Sequence, residues 1–195
     1  YPAPPNFGIR FKRYDTPGQP PIVAHPWRVV DTVLATSIGV NGVVVATIEH
    51  LMAALMGCGV DNVLVEVGGS EIPIVDGSAA PYVDLLTEAG RRAQNASRPC
   101  IRVTRPFVVK EGDAYIKALP AQRMELHYVI DFPHPLVGRQ EMSWTFDPAS
   151  FRRDIAQART FGFLKDVQRL QRMGLALGGS LSNAVVFDEE GVLNR

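Results

Sequence analysis

Ile48, Leu51, Met52, Leu55 and Met56 recur at the i, i+3, i+4, i+7, i+8 spacing of one helical face. The spacing predicts a helix over residues 47–57, opened by Thr47 as N-cap and stopped by Gly57. Met124, Leu126, Tyr128, Ile130 and Phe132 alternate strictly instead, the period of a strand with one buried face and a polar face that carries His127. Shorter signals fill in the rest. Residues 9–13 read as a strand between proline-rich loops, and Asn41-Gly42 as a hairpin turn ahead of Val43-Val-Val-Ala46. Residues 63–67 read as a buried strand. Residues 71–78 are an extended piece closed by an Asp-Gly turn, and Ser78 caps a helix over residues 82–89 that Gly90 stops.

The second half repeats the theme. Residues 101–109 and 115–119 flank Glu111-Gly-Asp113 as a hairpin, and Asp147-Pro148 opens a helix carrying Phe151 and Ile155. A further helix runs from Phe163 through Val167, Leu170 and Met173 to Gly174, and residues 184–187 and 192–193 flank a last turn. Strands and helices thus come in two batches without the regular alternation of a parallel βαβ sheet, which predicts an α+β fold. Polar residues 91–99 lack any apolar period and mark the expected boundary between domains 1–98 and 99–195.

Composition narrows the class. Of 195 residues, 46% are hydrophobic and 21% charged, enough apolar material for a buried core and too much for disorder. Twenty Lys and Arg balance twenty Asp and Glu with no basic run, which argues against nucleic acid as partner. No apolar stretch approaches the roughly 18 residues of a membrane span. Two cysteines, Cys58 and Cys100, make no disulfide framework, so a reducing, cytoplasmic setting is expected. The chain opens on Tyr1 rather than Met and without a signal-peptide pattern, as an excised or incompletely represented chain would.

Candidate chemistry centres on Glu49-His50 in the first turn of the 47–57 helix. A zinc hydrolase needs metal ligands with an open position and a carboxylate near the bound water, and this pair supplies one of each. Equally, Glu49 suits the positive end of a helix and His50 its polar flank. Ala53, Ala54 and Gly57 allow close approach of another element, whether to form a pocket or for tight packing. Asp76 fits an Asx turn before Ser78. Thr160, between two predicted helices, is placed to donate to an oxyanion while Phe161 and Phe163 wall an apolar channel, or the segment is a linker with aromatic anchors. Leu177-Gly-Gly-Ser-Leu-Ser182 resembles a phosphate-cradling loop only loosely, lacking the P-loop lysine. His25, His127 and His134 read as surface or loop histidines.

Taken together and in order, Thr47-Ile-Glu-His-Leu-Met-Ala-Ala-Leu-Met-Gly57, Asp61-Asn62, Glu71-Ile-Pro-Ile-Val-Asp-Gly-Ser-Ala79, Ala158-Arg-Thr-Phe-Gly-Phe163 and Gly174-Leu-Ala-Leu-Gly-Gly-Ser180 resemble the zinc-dependent UDP-(3-O-acyl)-N-acetylglucosamine deacetylases of lipid A biosynthesis. The resemblance implies two small α+β domains, each a β-sheet with two helices, packed with the helices sandwiched between the sheets. It implies Zn2+ as cofactor, His50 as a metal ligand and Glu49 as general base. It also places Thr160 beside the scissile amide carbonyl, and Phe161, Val167, Leu170 and Ser180 along the acyl passage. The implied reaction is hydrolysis of an N-acetyl group on a UDP-acyl-glucosamine, by a cytoplasmic monomer.

Two departures qualify the resemblance. The family's HxxxD helix, with its second and third zinc ligands, is expected after Asn194, and its first strand with a Gly-x-Gly-Leu-His motif before Tyr1. The 195 residues are therefore expected not to complete a zinc site, with His50 the one inherited ligand among four histidines. The alternative is a non-catalytic relative or fragment that keeps the fold and acyl or UDP-sugar binding without turnover. A sugar-nucleotide module built on Gly178-Gly179-Ser180 is a third reading from the residues alone.

Overall fold

β1 (Ile9–Arg13) pairs antiparallel with β2 (Ile22–Val23), and a three-residue 3-10 turn, Pro26–Arg28, leads into the next sheet. There β3 (Val29–Asp31), β4 (Ser37–Val40) and β5 (Val43–Val45) run antiparallel in sequence order. Asn41 and Gly42 join β4 to β5 with φ of 51° and 80°, the double positive φ that the Asn-Gly pair predicts. Helix α1 (Glu49–Gly57) follows, then β6 (Val63–Val67), which pairs parallel with β1 from Ile9↔Val63 to Arg13↔Val67. α2 (Ala80–Ala89) completes this part. This computed structural model describes residues 1–172 and 176–194.

Burial explains why these elements hold together. Phe11 of β1, Ile22 of β2, Ile38 of β4, Val45 of β5 and Leu55 of α1 are each at most 1% exposed and share one core with Ile48, Leu51, Val67 and Ile72. Tyr82 and Leu86 of α2 pack on the same core. Three of the five periodic positions, Ile48, Leu51 and Leu55, are buried, and Met52 and Met56 are half-buried at the edge of the stripe.

Both ends of α1 differ from expectation. Thr47 is not its N-cap: Ile48 occupies that position with no side-chain cap bond, and Thr47 has a positive φ of 58°. Gly57 is the last helical residue rather than the stop, which falls at Gly59 with φ 66°. A methyl group on Gly57 would overlap the Phe151 ring, so this glycine serves tight packing. For α2, Ala79 stands at the N-cap, while the Ser78 hydroxyl accepts from Ala80 N–H at 3.1 Å.

Strands β7 (Phe107–Glu111) and β8 (Ala114–Ala118) form the expected hairpin, while β9 (Glu125–Phe132), read from its alternation, pairs antiparallel with β10 (Gly138–Thr145), a strand not read from the sequence, in a register from Gly138↔Phe132 to Thr145↔Glu125. One face of the second hairpin carries Leu126, Tyr128, Ile130, Met142 and Trp144; the other carries His127, Glu141, Ser143 and Arg139. The expected apolar alternation is present, but Leu126, Tyr128 and Met142 on that face are exposed.

α3 (Pro148–Ser150) continues into a π-helical turn, Phe151–Ile155. β11 (Phe161–Phe163), where a linker was one reading, pairs parallel with β12 (Val185–Phe187), and α4 (Leu164–Arg172) lies between them in sequence. The predicted end of α4 at Met173 and Gly174 lies outside the described residues. The last turn is closed by Asp188 N–H to Gly191 O and Leu193 N–H to Val186 O.

Two compact units result, Tyr1–Ala96 with Pro148–Arg195, and Ser97–Asp147. This division differs from the expected halves 1–98 and 99–195. Residues after 147 join the first unit because Ala79 N–H donates to Ala156 O and Thr160 N–H to Gly77 O, leaving β7 to β10 by themselves. The α+β class holds. Among the described residues no helix is long and apolar enough to cross a membrane.

Candidate active site

The first turn of α1 is held by the chain just ahead of β4. Thr36 N–H donates to Glu49 Oε2 at 3.1 Å, and Thr36 O accepts from Ile48 N–H at 3.3 Å, so one residue fixes both the helix start and its carboxylate. Glu49 is the acidic residue of the first turn of α1, at the positive end of the helix. His50 is half-buried and makes no hydrogen bond or ion pair among the described residues.

Next to it, Ala46 bridges to Glu71, with Ala46 N–H on Ser70 O and Ile72 N–H on Ala46 O. The Thr47 hydroxyl donates to Glu71 Oε1 at 2.7 Å. From Glu71 the chain runs to a tight turn in which Gly77 N–H reaches Ile74 O and Val75 takes φ 54°. Asp76 Oδ1 accepts from both the N–H (2.9 Å) and the hydroxyl (2.8 Å) of fully buried Ser78, the Asx turn read from the sequence.

That turn holds Thr160. Gly77 O accepts from Thr160 N–H at 2.8 Å, Thr160 O accepts from Val185 N–H at 2.8 Å, and Arg159 donates to Asp76 O at 2.7 Å and to Ser182 O. Gly77 sits at φ 83°, and a Cβ there would strike the Asn183 carbonyl, so the close approach requires glycine. With its backbone bonded on both sides, Thr160 keeps a hydroxyl that no described residue engages. Residues 71–77 therefore strap the foot of the Glu49–His50 helix to Thr160, over a path of at most about 20 Å.

The other predicted residues are placed less closely. Phe161 joins Phe163 and Phe187 in an aromatic cluster with centroids 6.0–6.1 Å apart. Val167 and Leu170, half-buried, share one face of α4. Ser180 is exposed, its N–H on Asn183 Oδ1 at 2.8 Å and its hydroxyl 2.7 Å from that of Ser182. Gly179 N–H is likewise engaged by Ala176 O. Part of the 174–180 motif, Gly174 and Leu175, lies outside the described residues.

His25 caps the turn at Trp27, His127 contacts Ser143 at 2.8 Å, and His134 accepts from Leu136 N–H, all local roles as expected. No three His, Cys, Asp or Glu side chains among the described residues lie close enough to hold a metal ion. A cavity of about 320 Å³ lies at the far end of α1, lined by Gly57, Cys58, Leu86, Arg91 and Phe151, and is separate from this chemistry.

Thr36, Glu71, Gly77 and Arg159 were not identified as site residues in the sequence, although Glu71, Gly77 and Arg159 stand inside the quoted motifs. Their roles arise from backbone contacts between segments, which side-chain type does not announce.

The comparisons with known proteins agree with the motif set. The family model described as UDP-3-O-acyl N-acetylglycosamine deacetylase matches residues 1–195. A UDP-3-O-acyl-N-acetylglucosamine deacetylase of Acidithiobacillus ferrooxidans is 48% identical over 196 residues, covering 100% of this chain and 64% of its own length. Those of Myxococcus xanthus (48%, 99% of this chain, 62% of its own length) and Nitratidesulfovibrio vulgaris (47%, 100% and 63%) are similar to the same extent. The chain thus spans less than two thirds of the length of these curated relatives. On the match over its whole length, the chain belongs to the UDP-3-O-acyl N-acetylglycosamine deacetylase family.

Proposed function

We propose that the full-length protein hydrolyses the N-acetyl group of UDP-(3-O-acyl)-N-acetylglucosamine, releasing acetate in lipid A biosynthesis, as a zinc-dependent cytoplasmic monomer. The observation that carries this reading is the 71–77 strap, which ties the Glu49–His50 helix to Thr160 within one compact unit. Family membership and the relatives' names support the substrate.

In this reading Glu49, oriented by Thr36 N–H, takes the proton of the attacking water. The unengaged Thr160 hydroxyl donates to the oxygen on which charge develops. Phe161, Val167, Leu170 and Ser180 contact the acyl chain along its passage. His50 is one zinc ligand, and since the described residues supply no group of three, zinc at His50 calls on ligands other than these.

The test is acetate release by the full-length protein. Glu49→Gln is expected to lower kcat by about 10²–10⁴, and unchanged turnover in that variant would overturn the role of Glu49. The 195-residue chain, analysed for metal after dialysis, is expected to hold well under one zinc per chain; stoichiometric zinc would show a site made from residues not assigned here.

A further inference from the structure

We propose that Thr47 and Glu71 are positioning residues for Glu49: the Thr47 hydroxyl, donating to the Glu71 carboxylate, holds the left-handed backbone from which α1 starts. The inference rests on the deacetylase reading of the site.

Thr47 is β-branched, buried and at φ 58°, a conformation such residues rarely adopt unless their surroundings impose it. Its neighbours are fixed on both sides, Ala46 between Ser70 and Ile72, and Ile48 on Thr36 O. The side chain of Thr47 itself adds one bond, to Glu71 Oε1 at 2.7 Å, and a carboxylate acceptor makes such a bond strong. The left-handed residue turns the chain from its bridge with Glu71 directly into the helix, two residues before Glu49. Released to an ordinary conformation, Thr47 would re-aim the first turn and carry Glu49 away from Thr36 N–H. The pair touches neither substrate nor reacting atoms in this account, so its effect falls on the rate of the chemical step rather than on substrate binding.

In the full-length protein, Thr47→Val and Glu71→Leu are expected to lower kcat by about 10- to 100-fold with KM within about twofold. The double variant should be no slower than the worse single one, because both remove the same bond. Thr47→Ser, which keeps the hydroxyl, should stay within about threefold of the parent, and Thr47→Gly should recover part of the loss in Thr47→Val, since glycine adopts positive φ without penalty. A purely packing role predicts the opposite order, with glycine worst. Parent-like kcat in Thr47→Val, or Thr47→Gly at or below Thr47→Val, would overturn the proposal. If the parent released no acetate, the deacetylase reading would fail instead. Amide hydrogen exchange over residues 48–52 would then decide the structural claim, being faster in Thr47→Val than in the parent, Ser and Gly forms if it holds, and unchanged if it does not.

Discussion

Cys58 and Cys100 sit in opposite surroundings. Cys58 closes α1, and burial pushes its thiol pKa up, an effect that the positive charges of Arg91 and Arg152 offset only in part. Cys100 is exposed. Since the thiolate is the reactive form, iodoacetamide at pH 8 should alkylate Cys100 first and Cys58 only as pH rises or the fold opens. Peptide mass mapping over time checks this, and early labelling of Cys58 would contradict the burial. The same scale shows what a single residue's identity can announce. Glu49, His50 and Thr160 stand out because their side chains carry chemistry. Thr36 acts through its backbone on a carboxylate 13 residues away, and Arg159 reaches a carbonyl 83 residues away. Thr47 was misread as a cap because a threonine before a helix looks the same whether it bonds its own helix or, as here, a glutamate 24 residues on.

Among the elements, α1 is the most legible and also the most constrained. Its apolar period fixed its extent to within two residues, yet the small residue at its end answers to Phe151, far along the chain. Gly57→Ala should cost about 1–3 kcal/mol, as overpacking does. Adding Phe151→Leu to it should return part of that loss, and urea denaturation midpoints of the two proteins decide the point; an unshifted midpoint for Gly57→Ala would mean the ring moves aside freely. Hairpins were readable wherever a turn pair stood between alternating runs, at Asn41-Gly42 and Gly112-Asp113. β11 was not, because Phe161-Gly-Phe163 is too short to show a period and its partner, β12, is parallel and 24 positions away in register. Parallel pairing leaves no local turn to betray it.

For the whole molecule, the α+β class followed from the batching of strands and helices, whereas the grouping of residues into units did not. Periodicity locates a face suited to burial without saying what covers it, and the β9–β10 face illustrates this. Its alternation is as clear as any in the chain, yet Tyr128 is 71% exposed. Amides of β7 to β10 are therefore expected to exchange with deuterium well before those around Phe11, Val45 and Leu55, whose side chains are at most 1% exposed. Exchange mass spectrometry of the 195-residue chain tests this, and equal protection of the two sets would mean that the hairpins are covered in solution.

The strap from Glu71 to Gly77 also sets an order of events during synthesis. Glu49, His50 and the strap have all emerged from the ribosome 83 residues before Arg159 and Thr160 reach their partners Asp76 and Gly77, an interval of roughly 4–17 s at ordinary elongation rates. For that time Gly77 O and Asp76 O, which end up bonded to Thr160 and Arg159, have no partner from that segment. The nascent chain thus carries the carboxylate and imidazole without the hydroxyl donor. The bonds that bring these motifs into one network become available only once residues 159 and 160 have been made.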